Sequence, residues 1–252
     1  MAAPAFGSVG TYLGGSGTLS PAFPVPASVA ANDIILVFMY TESTPEGNAV
    51  TATPPAGFTE APNSPIITYN GTSEGQYQRV FWKRATGADT GTYTFTLGAN
   101  SGYVEGVAVR FTGCVTSGNP FDVTTSANSN TAGTTTPAVS VTTTGADRLL
   151  VFGSTDWVTG TSTQPSGMTQ VSVGGGRVFD IAYVAQSVAG GSGSLTATHT
   201  GSGPLTAWLG ALLPISSAPH QAYVASTAVT AAYLGTTALS AIYVGTQQIW
   251  GP

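Results

Sequence analysis

The amino-acid sequence predicts an all-β protein: a duplicated antiparallel β-sandwich, jelly-roll-like, followed by a C-terminal decapeptide repeat of short strands. Three observations predict it. Charged residues are scarce while Thr, Ser, Gly and Val abound; a set of strand-like segments occurs twice in the same order; and a tyrosine returns every ten residues at 223, 233 and 243.

The composition excludes several classes. Of 252 residues, 6 are Lys or Arg and 11 are Asp or Glu, a net charge of −5. The charged fraction is 7%, against roughly 25% in an average soluble domain. Long surface helices need the Glu, Lys and Arg that are missing. Six scattered cations build no basic face, so no nucleic-acid partner held by counterion release is expected. The single Cys excludes an intrachain disulfide framework and a cysteine-rich zinc module. Apolar residues make up 42%, enough for a core, and Thr, Val, Tyr and Phe suit a pleated surface. The first seven residues have neither the basic nor the apolar region of a leader peptide. The longest apolar run, residues 34–40, is far short of the ~20 residues that span a bilayer. The expectation is a chain without a signal peptide and without membrane insertion, made in a cytoplasm.

Taken in order, residues 33–41 form a near-continuous apolar run of strand length, the signature of a buried central strand. Residues 66–69 lead into Asn70-Gly71, a hairpin signal because both positions tolerate positive φ; the formal glycosylation triplet Asn70-Gly71-Thr72 is read as that turn. In the next segment Tyr77, Arg79, Phe81 and Lys83 face one way and Gln78, Val80, Trp82 and Arg84 the other. Tyr93, Phe95 and Leu97 alternate with threonines, and Val107, Val109 and Phe111 keep the same spacing. Pro54-Pro55-Ala56-Gly57 and Pro165-Ser166-Gly167 read as turns.

These segments recur. Asp33-Ile34-Ile35-Leu36-Val37-Phe38 aligns with Asp147-Arg148-Leu149-Leu150-Val151-Phe152, and the Pro55-Ala56-Gly57-Phe58-Thr59 turn with Pro165-Ser166-Gly167-Met168-Thr169. Residues 91–97 align with 193–199, and 103–111 with 205–213. The expected domains are 1–115, the first sandwich repeat, and 116–217, the second, joined at Asn119-Pro120-Phe121-Asp122-Val123. Residues 124–136 are a loop or an edge strand. The pattern leaves open whether the halves are tandem sandwiches or one larger one.

The third segment, 218–252, holds units at 222–231, 232–241 and 242–251. An even period keeps every copy in one phase of a strand, so each unit reads as two very short strands around a turn, with bends at Gly235 and Gly245. About 30 residues cannot enclose a core of their own. The segment carries no charged side chain, and an exposed uncharged tail of this kind aggregates. It must therefore be covered by the body, by sister chains or by a larger assembly. The expected interface residues are Tyr223, Val224, Tyr233, Leu234, Leu239, Tyr243, Val244, Ile249 and Trp250.

Candidate chemistry is sparse. His199 and His220 have no carboxylate or Cys near them in sequence at ligand or triad spacing, so neither is read as catalytic or metal-binding. Asp33, Asp122, Asp147 and Asp180 are scattered, and the alignment of Asp33 with Asp147 points to a hydrogen bond at a turn or strand start. Glu42 and Glu46 flank Pro45 and read as solvated loop residues, with a paired-carboxylate glycosidase as the rival reading. The glycine runs at 14–17 and 174–176 lack the helix and Lys of a phosphate cradle. Cys114 reads as a buried small residue or an idle thiol. Trp82 and Trp208 read as core, while Trp157, at a strand end after Asp156, is the candidate exposed aromatic for stacking on a sugar ring. No catalytic residue, metal site or cofactor is expected.

The strand after Asp33, the Pro-Pro-x-Gly-Phe-Thr turn, the Phe81-Trp82-Lys83-Arg84-Ala85 strand and the Tyr93-Thr94-Phe95-Thr96 strand, then repeated, resemble β-sandwich proteins of tailed bacteriophages. The tail units Tyr233-Leu234-Gly235-Thr236-Thr237 and Tyr243-Val244-Gly245-Thr246-Gln247-Gln248-Ile249-Trp250 resemble short terminal repeats of actinobacteriophage-like minor tail and related virion proteins. The resemblance implies a non-enzymatic virion component of minor tail, head-fibre or capsid-decoration type. It implies assembly in the host cytoplasm, other virion proteins as partners, a homo-oligomer with a trimer favoured, and a host-surface glycan as a further ligand. The rival classes are a carbohydrate-binding module or depolymerase fragment, and a bacterial surface adhesin.

Overall fold

The computed structural model describes residues 3–43, 50–69, 75–99, 101–171 and 178–215, together with the backbone of the tail strands at 233–234, 237–238, 242–244 and 247–250. Every regular element among the described residues is a strand, as the sequence predicts. The first half contains β1 (Ala5–Val9), β2 (Leu13–Ser16), β3 (Ala22–Pro24), β4 (Ile34–Ser43), β5 (Ala52–Thr53), β6 (Phe58–Glu60), β7 (Ile66–Tyr69), β8 (Gly75–Arg84), β9 (Thr92–Thr94), β10 (Thr96–Leu97) and β11 (Ser101–Thr112). The second contains β12 (Ser126–Asn130), β13 (Thr142–Thr143), β14 (Arg148–Asp156), β15 (Ser162–Thr163), β16 (Thr169–Val171), β17 (Val178–Gln186), β18 (Gly190–Gly191), β19 (Thr198–His199) and β20 (Leu205–Leu212).

The duplication is written into the topology. The main sheet of the first half runs β1-β11-β4-β8-β6, and that of the second runs β12-β20-β14-β17-β16, element for element the same. The short pairs correspond too: β3 with β9 and β5 with β10 in one half, β13 with β18 and β15 with β19 in the other. The two proline turns also match. Phe58 N–H donates to Pro55 O at 3.2 Å and Met168 N–H to Pro165 O at 3.1 Å. Gly57 and Gly167 take φ of 87° and 82°, a conformation that favours glycine.

Each half is a sandwich of unequal layers, and the two main sheets pack on each other. In the first half Ile35, Val37, Met39 and Phe81 point to the short strands and meet Phe23, Tyr93, Phe95 and Leu97. The opposite face, with Ile34, Leu36, Phe38, Val107 and Phe111, shares one core with Leu149, Val151, Ile181, Trp208 and Leu212 of the second half. Leu150, Phe152, Leu209 and Ala197 fill the outer sandwich of the second half. Four β layers result, with the main sheets inside. The continuous apolar run at residues 34–40 is thereby explained, since β4 is buried along its whole length on both faces. Residues Met1–Ile215 form one compact unit with a shared interior, and Ser216–Pro252 form another.

The structure corrects the alignment of the halves in the central strands by one residue. Asn32 and Asp147 both take left-handed backbone, φ 71° and 59°, where the chain enters β4 and β14. Asn32, not Asp33, is thus the counterpart of Asp147. The cross-strand pairs agree: Val37 faces Ala108 as Phe152 faces Leu209, all four pointing outward. A strand apolar on both faces carries no alternation to fix its register in sequence. Asp33 nonetheless does work at a strand start, accepting Ala30 N–H at 2.8 Å and Arg110 Nε–H at 2.6 Å.

Three further expectations meet the structure here. Residues 124–136 contain an edge strand, β12, paired to β20. The β7–β8 hairpin is present, and the residues between Tyr69 and Gly75, with the Asn70-Gly71 signal, lie outside the described residues. Glu42 is not a solvated loop residue: it lies in β4, 7% exposed, and accepts the Tyr40 hydroxyl at 2.6 Å. It belongs to a polar end of the central layer. There Tyr103 donates to Glu105 at 2.5 Å and Gln76 Nε2 to Thr155 Oγ1 across the halves at 2.8 Å. Glu46 lies outside the described residues.

Candidate functional site

The tail is the candidate assembly site. Its second and third units each form a hairpin: β21 (Tyr233–Leu234) with β22 (Thr237–Ala238), and β23 (Ile242–Val244) with β24 (Gln247–Trp250). The register repeats with the sequence. Tyr233 faces Ala238 and Leu234 faces Thr237, just as Tyr243 faces Gln248 and Val244 faces Gln247. Of the expected interface residues, Tyr233, Leu234, Tyr243, Val244, Ile249 and Trp250 lie on these strands; Tyr223, Val224 and Leu239 lie outside the described residues, as does the first unit. Among the described residues each tail strand pairs only within its own hairpin, and an isolated two-stranded hairpin is marginal in water. All the Asp, Glu, Lys and Arg of the chain precede residue 216, so the tail is neutral while the body carries the −5.

Among the described residues of the body, every Lys and Arg is spent on the fold. Arg110 pairs with Asp33, Arg148 with Asp122 at 3.0 Å, Arg79 with Glu60 at 2.8 Å, and Lys83 with Asp89. Arg84 donates to the Val115 and Gly118 carbonyls. Burial works to raise the Asp122 carboxyl, but bonds from Thr144 and Arg148 outweigh it and hold it below the ordinary carboxylate range.

The one constellation that sequence reasoning missed lies inside the second sandwich. Ser154 and Asp156 point from β14 toward the short strands, where β19 brings His199. Ser154 Oγ is 3.3 Å from His199 Nε2, and Asp156 Oδ2 is 3.7 Å from Nδ1. The order is that of a nucleophile, a base and an orienting acid. Three facts oppose catalysis. Ser154 and Asp156 are wholly buried, as is the His199 ring. The His–Asp separation exceeds a hydrogen bond. Burial pushes the imidazole down to about 4, leaving a weak base at neutral pH. On β17, across the ladder from Ser154, burial pushes Asp180 up to about 6 against the bond it accepts from Gln170 Nε2 at 3.1 Å. In the first sandwich Ser154, Asp156 and His199 correspond to Met39, Thr41 and Leu97, all buried, so the serine, the acid and the histidine are each replaced. No spacing in the sequence announces this cluster, because β19 is far from β14 along the chain.

Trp157 is half-buried, with its backbone N–H on Pro204 O at 3.3 Å, and does not stand out as an exposed aromatic. Trp208 is fully buried and Trp82 packs against the central core, as expected. Cys114 is 2% exposed and its thiol is pushed up to about 12 by burial, the idle thiol of the sequence reading. His220 lies outside the described residues. Comparison of the chain with protein families, with curated proteins and with solved structures finds no match.

Proposed function

We propose that the chain is a non-enzymatic structural component of a bacteriophage virion, of minor tail, head-fibre or capsid-decoration type, that assembles through its C-terminal repeats. The observation that carries this reading is the neutral tail of repeated hairpins, which has too few residues for a core and no charge to keep it apart from its copies. Identical chains bring identical charges together. A charged tail would repel itself, whereas this one meets its copies without electrostatic cost, which favours a homo-oligomer, a trimer in the form the resemblance implies. Assembly takes place in the host cytoplasm, with other virion proteins as partners and without a cofactor.

Deletion of residues 216–252 tests the proposal. The truncated body is expected to fold and to be missing from purified particles analysed by mass spectrometry. Its incorporation at the level of the full chain would overturn the reading.

A further inference from the structure

We infer that the groove between the two halves of the body is a binding site for an uncharged oligosaccharide. The groove has a volume of about 930 Å³, at the upper end of small-molecule sites, and is open to solvent. One wall is the segment leading into β7, with Pro65 and Ile67; the other is β12 with the residues before it, and Ser140–Thr142 (residues 140–142) close the far side. It exists only because the halves share a core, and bonds across its floor fix its width. Asn63 Nδ2 donates to Thr125 O, Thr125 Oγ1 to Pro62 O, and Ser129 Oγ to Ile67 O at 3.0 Å.

The lining selects the ligand class. None of its residues is charged, so phosphate, sulfate, sialic acid and basic peptides find no counter-charge. What it offers is hydroxyl groups. Thr124, Ser140 and Thr142 are exposed, and their hydroxyls make no hydrogen bond among the described residues. Ile67, 39% exposed, supplies an apolar surface for the C–H face of a sugar ring. An extended peptide adding to the edge of β12 is disfavoured, because that edge is already engaged. Thr68 Oγ1 donates to Asn130 O at 2.6 Å, Ser129 N–H is capped by Asn128 Oδ1 at 2.9 Å, and Asn128 Nδ2 reaches Ala138 O at 3.3 Å. Hydroxyl walls, an apolar strip, an open end and no charge fit a neutral glycan chain.

This deepens the glycan contact of the proposed function and moves it from Trp157 to the groove; it rests on the virion reading only for the source of the glycan, not for binding. The test is calorimetric titration of the full-length chain with neutral hexasaccharides of α-glucan, β-glucan, mannan and galactan type, and with a sulfated counterpart of each. At least one neutral hexasaccharide is expected to bind, with its sulfated form no tighter. The double variant Ser140→Tyr/Thr142→Tyr, which fills the groove from exposed positions, is expected to weaken binding at least about tenfold with an unchanged melting temperature. Thr124→Tyr serves the same purpose should the double variant misfold, and Trp157→Ala is expected to bind normally. Binding by none of the panel, undiminished binding by the groove-filling variants, or binding lost only in Trp157→Ala would each overturn the inference. Particle incorporation is read separately, so failure of the assembly reading leaves this result standing, and the reverse.

Discussion

Replacing Trp208 by Ala should destabilise the whole body, not one sandwich. Trp208 is fully buried on β20 and points into the central layer. Its ring meets Phe38 of the other half edge-on, with centroids 5.9 Å apart at 78°, and Phe121 at 5.7 Å and 75°. The indole N–H reaches Pro62 O of the other half at 3.4 Å, a long bond that adds little. A buried Trp removes up to about 250 Å² from water, worth about 6 kcal/mol at ~25 cal/mol/Å² as an upper bound. Ala retains part of that and the site relaxes in part, so the expected loss is about 3–5 kcal/mol. For a body of this size that lowers Tm by roughly 6–20 °C. Scanning calorimetry and urea melts are the assays. Because the ring bridges the halves, a single transition should move as a unit. A loss below about 1 kcal/mol, or two transitions of which only one shifts, would refute the shared core.

Other consequences follow from the same packing. At Gly153 a Cβ would stand 2.5 Å from the Phe38 ring, so Gly153→Ala should cost about 1–3 kcal/mol, whereas Gly191→Ala, whose Cβ would meet only Gly193 N at 4.0 Å, should be neutral in the same melts. The imidazole of His199 lies lower in the folded chain than unfolded, so its contribution is complete above about 6.5 and falls as pH drops toward 4. His199→Leu should remove that part of the acid slope in stability–pH curves. Asp180 has the opposite sign. Its folded value, raised to about 6, costs stability at neutral pH and not below about 3.8, so Asp180→Asn should stabilise at pH 7.5 by up to about 3 kcal/mol and gain nothing at pH 3.5. A uniform offset at all pH values would show that the charge is not the cause. Cys114 should resist iodoacetamide at pH 8 in the folded protein and react on unfolding; rapid labelling of the native chain would contradict its burial.

The alternation at residues 92–97 was legible because one face is wetter than the other: Thr92, Thr94 and Thr96 are exposed while Tyr93, Phe95 and Leu97 are buried. Residues 77–84 alternate as read, with Phe81 in the outer core of the first half and Val80 and Trp82 in the central one. The proline turns were legible because Gly57 and Gly167 are needed at positive φ. The registration of the halves was not, since β4 and β14 are buried on both faces and a shift of one residue leaves the apolar pattern intact. Glu42 was misplaced because a carboxylate beside Pro45 looks like loop, and its burial depends on a tyrosine two residues away in the same strand. The meeting of Ser154, Asp156 and His199, and the groove between β7 and β12, depend on pairings distant in sequence. Local patterns carry no trace of either. The ten-residue tail period was legible outright, since its hairpin register is the sequence period itself.

The claim on which the functional account turns is that the neutral tail joins copies of this chain. Sedimentation velocity of the full chain beside residues 1–215, at equal concentration and physiological salt, tests it most directly. A discrete oligomer is expected for the full chain and a folded monomer for the shorter one. A full-length monomer at every concentration, with amides of residues 222–252 exchanging as freely as those of an unfolded peptide, would contradict it.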